Sequence, residues 1–177
     1  MALAIPSGTY GVDSMHTQLG FSVTHLGISV IRGTFDRFTG WLSVGDGLGE
    51  TSVSLEAEMA SVNSGNAMRD QHLQGADFFD VANHPTLTFT SSSIEEAGAG
   101  YDLHGSLTIK GISHPVVLAV TFNGSAVFPM NQSTHFGFSA RSTISRTAFN
   151  MGYGVPMASD DVKLQLEAQF VSPAPTG

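Results

Sequence analysis

The stretch Val162-Lys-Leu-Gln-Leu-Glu-Ala-Gln-Phe170 decides the fold class. Its even positions, Val162, Leu164, Leu166, Ala168 and Phe170, are apolar, and the odd positions between them, Lys163, Gln165, Glu167 and Gln169, are polar or charged. Successive side chains of a strand point to opposite faces, so this alternation predicts a half-buried strand. The same period holds over Thr51–Met59, with Val53, Leu55, Ala57 and Met59 on one face, and over Tyr101–Lys110, with Leu103, Leu107 and Ile109. Further strands are expected at Thr17–His25, Val30–Val44, Pro85–Ile94, Val116–Phe122 and His135–Arg146. Turn chemistry separates them: Gly45-Asp-Gly47, Gly98-Ala-Gly100 and Asn123-Gly124. Pro115 is expected at the start of a strand, and the parity switch between Phe35 and Leu42 suggests a bulge next to Gly40.

One segment breaks the pattern. Asn63–Gly75 carries Met68, His72 and Leu73 near helical spacing, with Ser64 as a candidate N-cap and Gly75 as a stop. An all-β chain of about eight antiparallel strands with one short helical insertion fits a sandwich or an up-and-down barrel. Of 177 residues only 12% are charged, about half the usual ~25%, which favours a closed sheet over open edges guarded by charge. A single domain over 1–177 is expected, with its core over 8–170 and a frayed tail over 171–177.

Composition also removes function classes. A net charge of −8 repels a phosphate backbone, so nucleic acid is not expected as a partner. With no cysteine there is no disulfide, thiol nucleophile or Cys-based metal site. The first ten residues lack a basic stretch followed by an apolar run, and no run reaches the ~18 residues of a membrane span. Together these predict a cytoplasmic protein without a signal peptide or transmembrane segment.

Catalytic motifs are missing: there is no G-x-S-x-G, H-E-x-x-H or Walker loop. The seven histidines show no i, i+2 or i, i+4 pair that would aim two imidazoles at a metal, so no metal site is expected. The dense stretch is Arg69-Asp-Gln-His-Leu-Gln-Gly-Ala-Asp-Phe-Phe-Asp80, where a helix and an aromatic pair would close or guard one end of a barrel.

With Asp13-Ser-Met-His-Thr17, Phe21-Ser-Val-Thr-His25, Gly33-Thr-Phe35 and Phe38-Thr-Gly40, that stretch resembles the YceI-like family of polyisoprenoid-binding proteins. The resemblance continues in order through Pro85-x-x-x-Phe89, Gly105-Ser-Leu-Thr-Ile-Lys-Gly111, Pro115-Val116, Ser145-Arg146, Phe149 and Ser159-Asp-Asp-Val-Lys163. It implies an extended lipocalin-like antiparallel β-barrel whose apolar pore holds a long isoprenoid or comparable lipid, in proteins often found as homodimers. Thr17 stands where the family usually has Ser. Phe128–Thr134 has no counterpart and is expected to alter the pore mouth.

The residues support that ligand class independently. An inward row of Phe21, Val23, Leu55, Met59, Leu107, Phe136, Phe138, Leu166 and Phe170, joined by Phe78, Phe79 and Phe89, would line an apolar channel. At ~0.8 kcal/mol per buried CH₂, two or three isoprene units give a gross ~8–12 kcal/mol, ahead of an association cost of several kcal/mol. For a polar head, His25, Arg69, His72 and Arg146 are the candidates. The expected function is a non-catalytic carrier for a polyprenyl pyrophosphate, polyprenol or isoprenoid quinone, with no required cofactor. Two alternatives stay open: an enzyme on an apolar substrate using His25, His72, His84, Asp70 and Asp77, and a packed barrel that serves only as an interaction module.

Overall fold

The computed structural model describes residues 3–172. Eleven strands and one helix follow in the order β1 (Gly8–Val12), β2 (Gln18–His25), β3 (Ser29–Phe35), β4 (Phe38–Val44), β5 (Ser52–Glu58), β6 (Val62–Asn63), α1 (Ala67–Gln74), β7 (Thr86–Ala97), β8 (Gly100–Ile109), β9 (Ile112–Val127), β10 (Thr134–Ser145) and β11 (Asp161–Ser172). Eight of them form an antiparallel barrel in the order β1-β4-β5-β7-β8-β9-β10-β11, closed where β1 meets β11 at Gly11↔Val171 and Val12↔Phe170. The free edge of β11 is shared. Its last residues pair with β1, while Lys163–Glu167 pair with β2, which carries β3 and β6 away from the ring. The tail expected over 171–177 is strand at Val171 and Ser172, and its remaining residues lie outside the described ones.

Four local expectations change, that for Pro115 among them. No bulge lies next to Gly40: the parity switch is a strand break, with Asp36 and Arg37 linking β3, which pairs with β2, to β4, which pairs with β1 and β5. Asp36 N–H donates to Ser61 O (3.2 Å) and Arg37 N–H to Ser61 Oγ (3.0 Å), so the link is held while the inward face resets. Asn123-Gly124 is no turn; it lies inside β9, where the pairing with β10 slips between Gly137 and Phe138 and Gly124 takes φ +119°. The β9–β10 connection is the unplaced stretch near Phe128–Ser133, closed by Phe128 N–H to Ser133 O (2.8 Å). Finally, the α1 cap is Asn66, whose Oδ1 accepts from Arg69 N–H (3.0 Å).

Pro115 sits at the fourth residue of β9 opposite Ser106, not at its start. There the β9–β10 ladder has already ended at Ala119↔Arg141, so the missing N–H falls on an open edge. Phe149, almost fully buried in the 3₁₀ turn Thr147–Phe149, stands edge-on to the His114 ring at 5.0 Å and packs into the core beside that seam.

Apolar side chains gather in two clusters. The larger fills around α1 and the adjoining strand ends, with Met59, Val62, Phe79 and Phe149. A smaller one, Ile5, Tyr10, Leu42, Val44, Phe136 and Phe170, plugs the end where β1 closes the ring. Between them the barrel is hollow.

A hollow barrel with a polar mouth

The cavity has a volume of about 720 Å³. Every even residue of β11 from Val162 to Phe170 faces it, as the pleat requires. Leu42 and Phe170 belong to both the lining and the plug, and thus form its floor. The other end is set by irregular backbone: Ser64, Arg69 and His72 at α1, Tyr153, Gly154 and Met157 from the segment after Phe149, and His25 at the tip of β2. This end is the mouth. The packed-barrel alternative fails on the void itself.

Glycines let rings lie flat on the inner wall. A Cβ at Gly33 would run into the Phe21 ring, and one at Gly105 into the Phe89 ring, so each aromatic covers its cross-strand glycine and leaves the channel open.

Among the described residues no carboxylate lines the cavity, although the chain carries −8 overall. Among the described residues its Arg and Lys lining groups are Arg69 and Arg146. Arg146 is 4% exposed and donates from Nε to Ser159 O (2.9 Å), from Nη1 to Met151 O (2.6 Å) and Tyr153 O (2.8 Å), and from Nη2 to Ala158 O (2.9 Å). One guanidinium therefore folds the whole 151–159 segment over the mouth. Burial lowers its pKa from the ordinary guanidinium range, opposed by the charge of Asp160. Arg69 donates from Nε to Ser64 Oγ (2.7 Å) and from Nη2 to Ser64 O (2.6 Å), while Ser64 Oγ donates to Asp70 Oδ1 (2.5 Å). Among the described residues Arg69 Nη1 has no hydrogen-bond partner.

Three rings frame the opening. His72 stands edge-on to Phe78 (5.0 Å) and Tyr153 (4.8 Å), and Phe78 to Tyr153 (5.5 Å), with the Arg146 guanidinium 5.9 Å from the Phe78 centroid. His72 Nε2 is 3.0 Å from Asp77 Oδ2.

The lining includes Phe21, Val23, Leu55, Phe78, Phe79, Phe89, Leu107, Phe138, Leu166 and Phe170, with His25, Arg69, His72 and Arg146. Met59 and Phe136 are not part of it. Met59 turns into the core after β5, its N–H on Pro85 O (2.9 Å), and Phe136 lies beneath the floor, edge-on to Tyr10 at 5.0 Å. The alternation that exposed Leu166 also points to Val162 and Leu164 as lining residues. Tyr153 and Met157 carry no such signal, because loop backbone positions them. The loop Phe128–Ser133 connects β9 to β10 at the plugged end, so it does not shape the mouth.

Of His25, His72, His84, Asp70 and Asp77, only His72 and Asp77 are joined by a hydrogen bond or ion pair among the described residues. Asp70 is taken by Ser64, and His84 lies against Gly111. Among the described residues no group of three or more His, Asp or Glu converges to hold a metal ion, and no helix is long and apolar enough to cross a membrane.

Comparison with known proteins places this barrel. The chain is 35% identical over 166 residues to a protein of Ectopseudomonas mendocina named UPF0312 protein, covering 92% of this chain and 86% of that one. The crystal structure of Burkholderia cenocepacia BcnA superposes with a TM-score of 0.80 at 25% identity, covering 89% of this chain and 98% of that one. A polyisoprenoid binding domain from Saccharophagus degradans, implicated in plant cell wall breakdown, shares the fold at TM-score 0.69 and 15% identity, over 93% of this chain and 98% of that one. The YceI-like domain profile matches residues 10–170, from the first buried tyrosine to the cavity floor, and the chain belongs to the YceI-like family.

Proposed function

We propose that the protein is a non-catalytic carrier or store for a lipid with an isoprenoid tail, the tail lying in the barrel and the head at the α1 mouth. The carrying observation is the 720 Å³ void, walled by apolar side chains and free of carboxylates. A non-hydrogen atom with its hydrogens takes about the 30 Å³ of a water molecule in the liquid, so about 24 atoms fit, or about four or five isoprene units. The shared fold of the Saccharophagus degradans domain, named for polyisoprenoid binding, supports the ligand class.

The head is a polyprenyl phosphate or pyrophosphate, a polyprenol or a quinone. An amine head finds two guanidinium groups and no carboxylate on the lining, which disfavours it. Arg69, with Nη1 free, is the donor offered to the head, beside His72 and Tyr153. Arg146 has four donors committed to backbone and acts by shaping the mouth. A homodimer, a role in transport and a cytoplasmic location belong to the same proposal.

Native mass spectrometry and organic extraction of the purified protein test it together. A co-purifying prenyl lipid, or stoichiometric uptake of polyprenol or prenyl pyrophosphate, is expected. An empty protein that takes up none of them overturns it.

A further inference from the structure

The rim around the mouth is apolar and exposed. Ile28 is 85% exposed and Met68 83%, and Leu26, Val30, Tyr153 and Met157 are exposed with them. These side chains come from three elements held together. The tip of the β2–β3 hairpin is tied to the 151–159 segment by Leu26 N–H to Met157 O (2.7 Å), Ser159 N–H to Thr24 O (2.9 Å) and the His25–Ala158 bridge. Met68 lies one helical turn before His72, whose ring touches Tyr153. Tyr153 and Met157 are at once rim and cavity lining, so whatever covers the rim meets the opening.

Charge follows the same outline. Residues 24–32 and 150–159 contain no Asp or Glu, and Arg32 is their one Arg or Lys. The third element, α1, balances Arg69 with Asp70, and Asp77 beyond it is hydrogen-bonded to His72. Both described chain ends leave from the plugged end, where Leu3 meets the Tyr10 cluster and Ser172 pairs with Thr134.

We propose that this rim docks on a lipid bilayer surface and that ligand passes between bilayer and cavity without entering water; the inference rests on the lipid-carrier reading. Each tail carbon that must cross water lowers the chance of escape from a bilayer about fourfold. Compounded over a tail of about 24 carbons, that penalty leaves direct contact as the workable route. A rigid set of Leu, Ile, Met and Tyr side chains, with Arg69 beside it and the carboxylates of Asp70 and Asp77 taken up by Ser64 and His72, suits the headgroup region. A second copy would bring another charge of −8 and would close the mouth it covered.

The test uses the full chain, phosphatidylcholine vesicles and a fluorescent polyprenol. The unmodified protein is expected to float with the vesicles and to take up the probe at a rate proportional to vesicle concentration. Ile28→Asp and Met68→Asp, on exposed side chains outside the cavity, should each cut flotation and vesicle-to-protein transfer at least tenfold. Uptake of the same probe from detergent micelles should stay unchanged. The proposal is overturned if the unmodified protein takes up the probe from micelles yet does not float, or if both variants transfer at the original rate. It is also overturned if Ile28→Asp converts a dimer to monomer in sedimentation while flotation is absent throughout. Flotation that is lost in the variants, with no probe uptake from vesicles or micelles, upholds the docking surface and defeats the carrier reading instead.

Discussion

Arg146 shows how one side chain can hold the backbone around a cavity. Its guanidinium is buried, makes no hydrogen bond to a carboxylate, and is matched to four carbonyl oxygens of the segment that roofs the mouth. A lysine keeps the charge but cannot span those acceptors. Arg146→Lys is expected to cost about 2–4 kcal/mol in urea unfolding and to speed amide exchange across 151–159, because buried carbonyls are left unpaired. Asp160 supports the same turn: its Oδ2 accepts from Ser145 Oγ (2.7 Å) and its Oδ1 from Thr147 N–H (2.8 Å). These bonds, the Ser145 hydroxyl first, lower its pKa below the ordinary 3.8. A carboxyl whose folded pKa is depressed stabilises fully above its unfolded value and loses that contribution as pH falls through the folded one. Asp160→Asn should therefore lower the urea midpoint at neutral pH, and the two midpoints should converge below about pH 4. The sequence marks Ser145-Arg146 and Phe149 as a motif, but the partners of Arg146 are main-chain oxygens, which leave no trace in residue identity.

At the scale of elements, alternation was enough to locate strands wherever one face is wet. It failed at β1, Gly-Thr-Tyr-Gly-Val, because two glycines in five residues erase the pattern; yet β1 closes the ring and brings Tyr10 to the plug. The parity switch around Gly40 is real, but a switch of face has two physical causes, an inserted residue or a new strand, and only the pairing of β3 and β4 with different neighbours tells them apart. Asn-Gly suits any backbone with positive φ, and in β9 that backbone is a bulge. For α1, Ser64 and Asn66 were both chemically able to cap; Ser64 is committed to Arg69 and Asp70. Eight residues are too few to hold a helix unaided, so the cap matters. Asn66→Ala is expected to cost about 1 kcal/mol and to raise exchange in Ala67–Gln74 before the barrel strands respond, as read by hydrogen–deuterium exchange.

For the whole molecule, the inward apolar row could not tell hollow from packed, since an eight-stranded barrel is only just wide enough for one small ligand. The difference lies in how the rings are placed: Leu42 and Phe170 form the floor over Tyr10 and Phe136, while above it Phe21 and Phe89 lie flat over Gly33 and Gly105 and leave the channel open. For the proposed ligand, that floor would set tail length. Ala168, beside Phe138 at the lower end, is the place to raise it. Ala168→Phe should weaken the longest tails that fit by about tenfold or more, through two or three CH₂ groups denied burial, while leaving shorter prenols unaffected and the melting temperature unchanged or higher. A void has a mechanical side as well. Water that enters an apolar barrel finds few partners, so the empty protein holds volume that unfolding eliminates. Hydrostatic pressure should then act on the unloaded barrel through a larger volume change than on the lipid-filled one. High-pressure fluorescence of Trp41, the single tryptophan of the chain, would read occupancy as the slope of unfolding free energy against pressure.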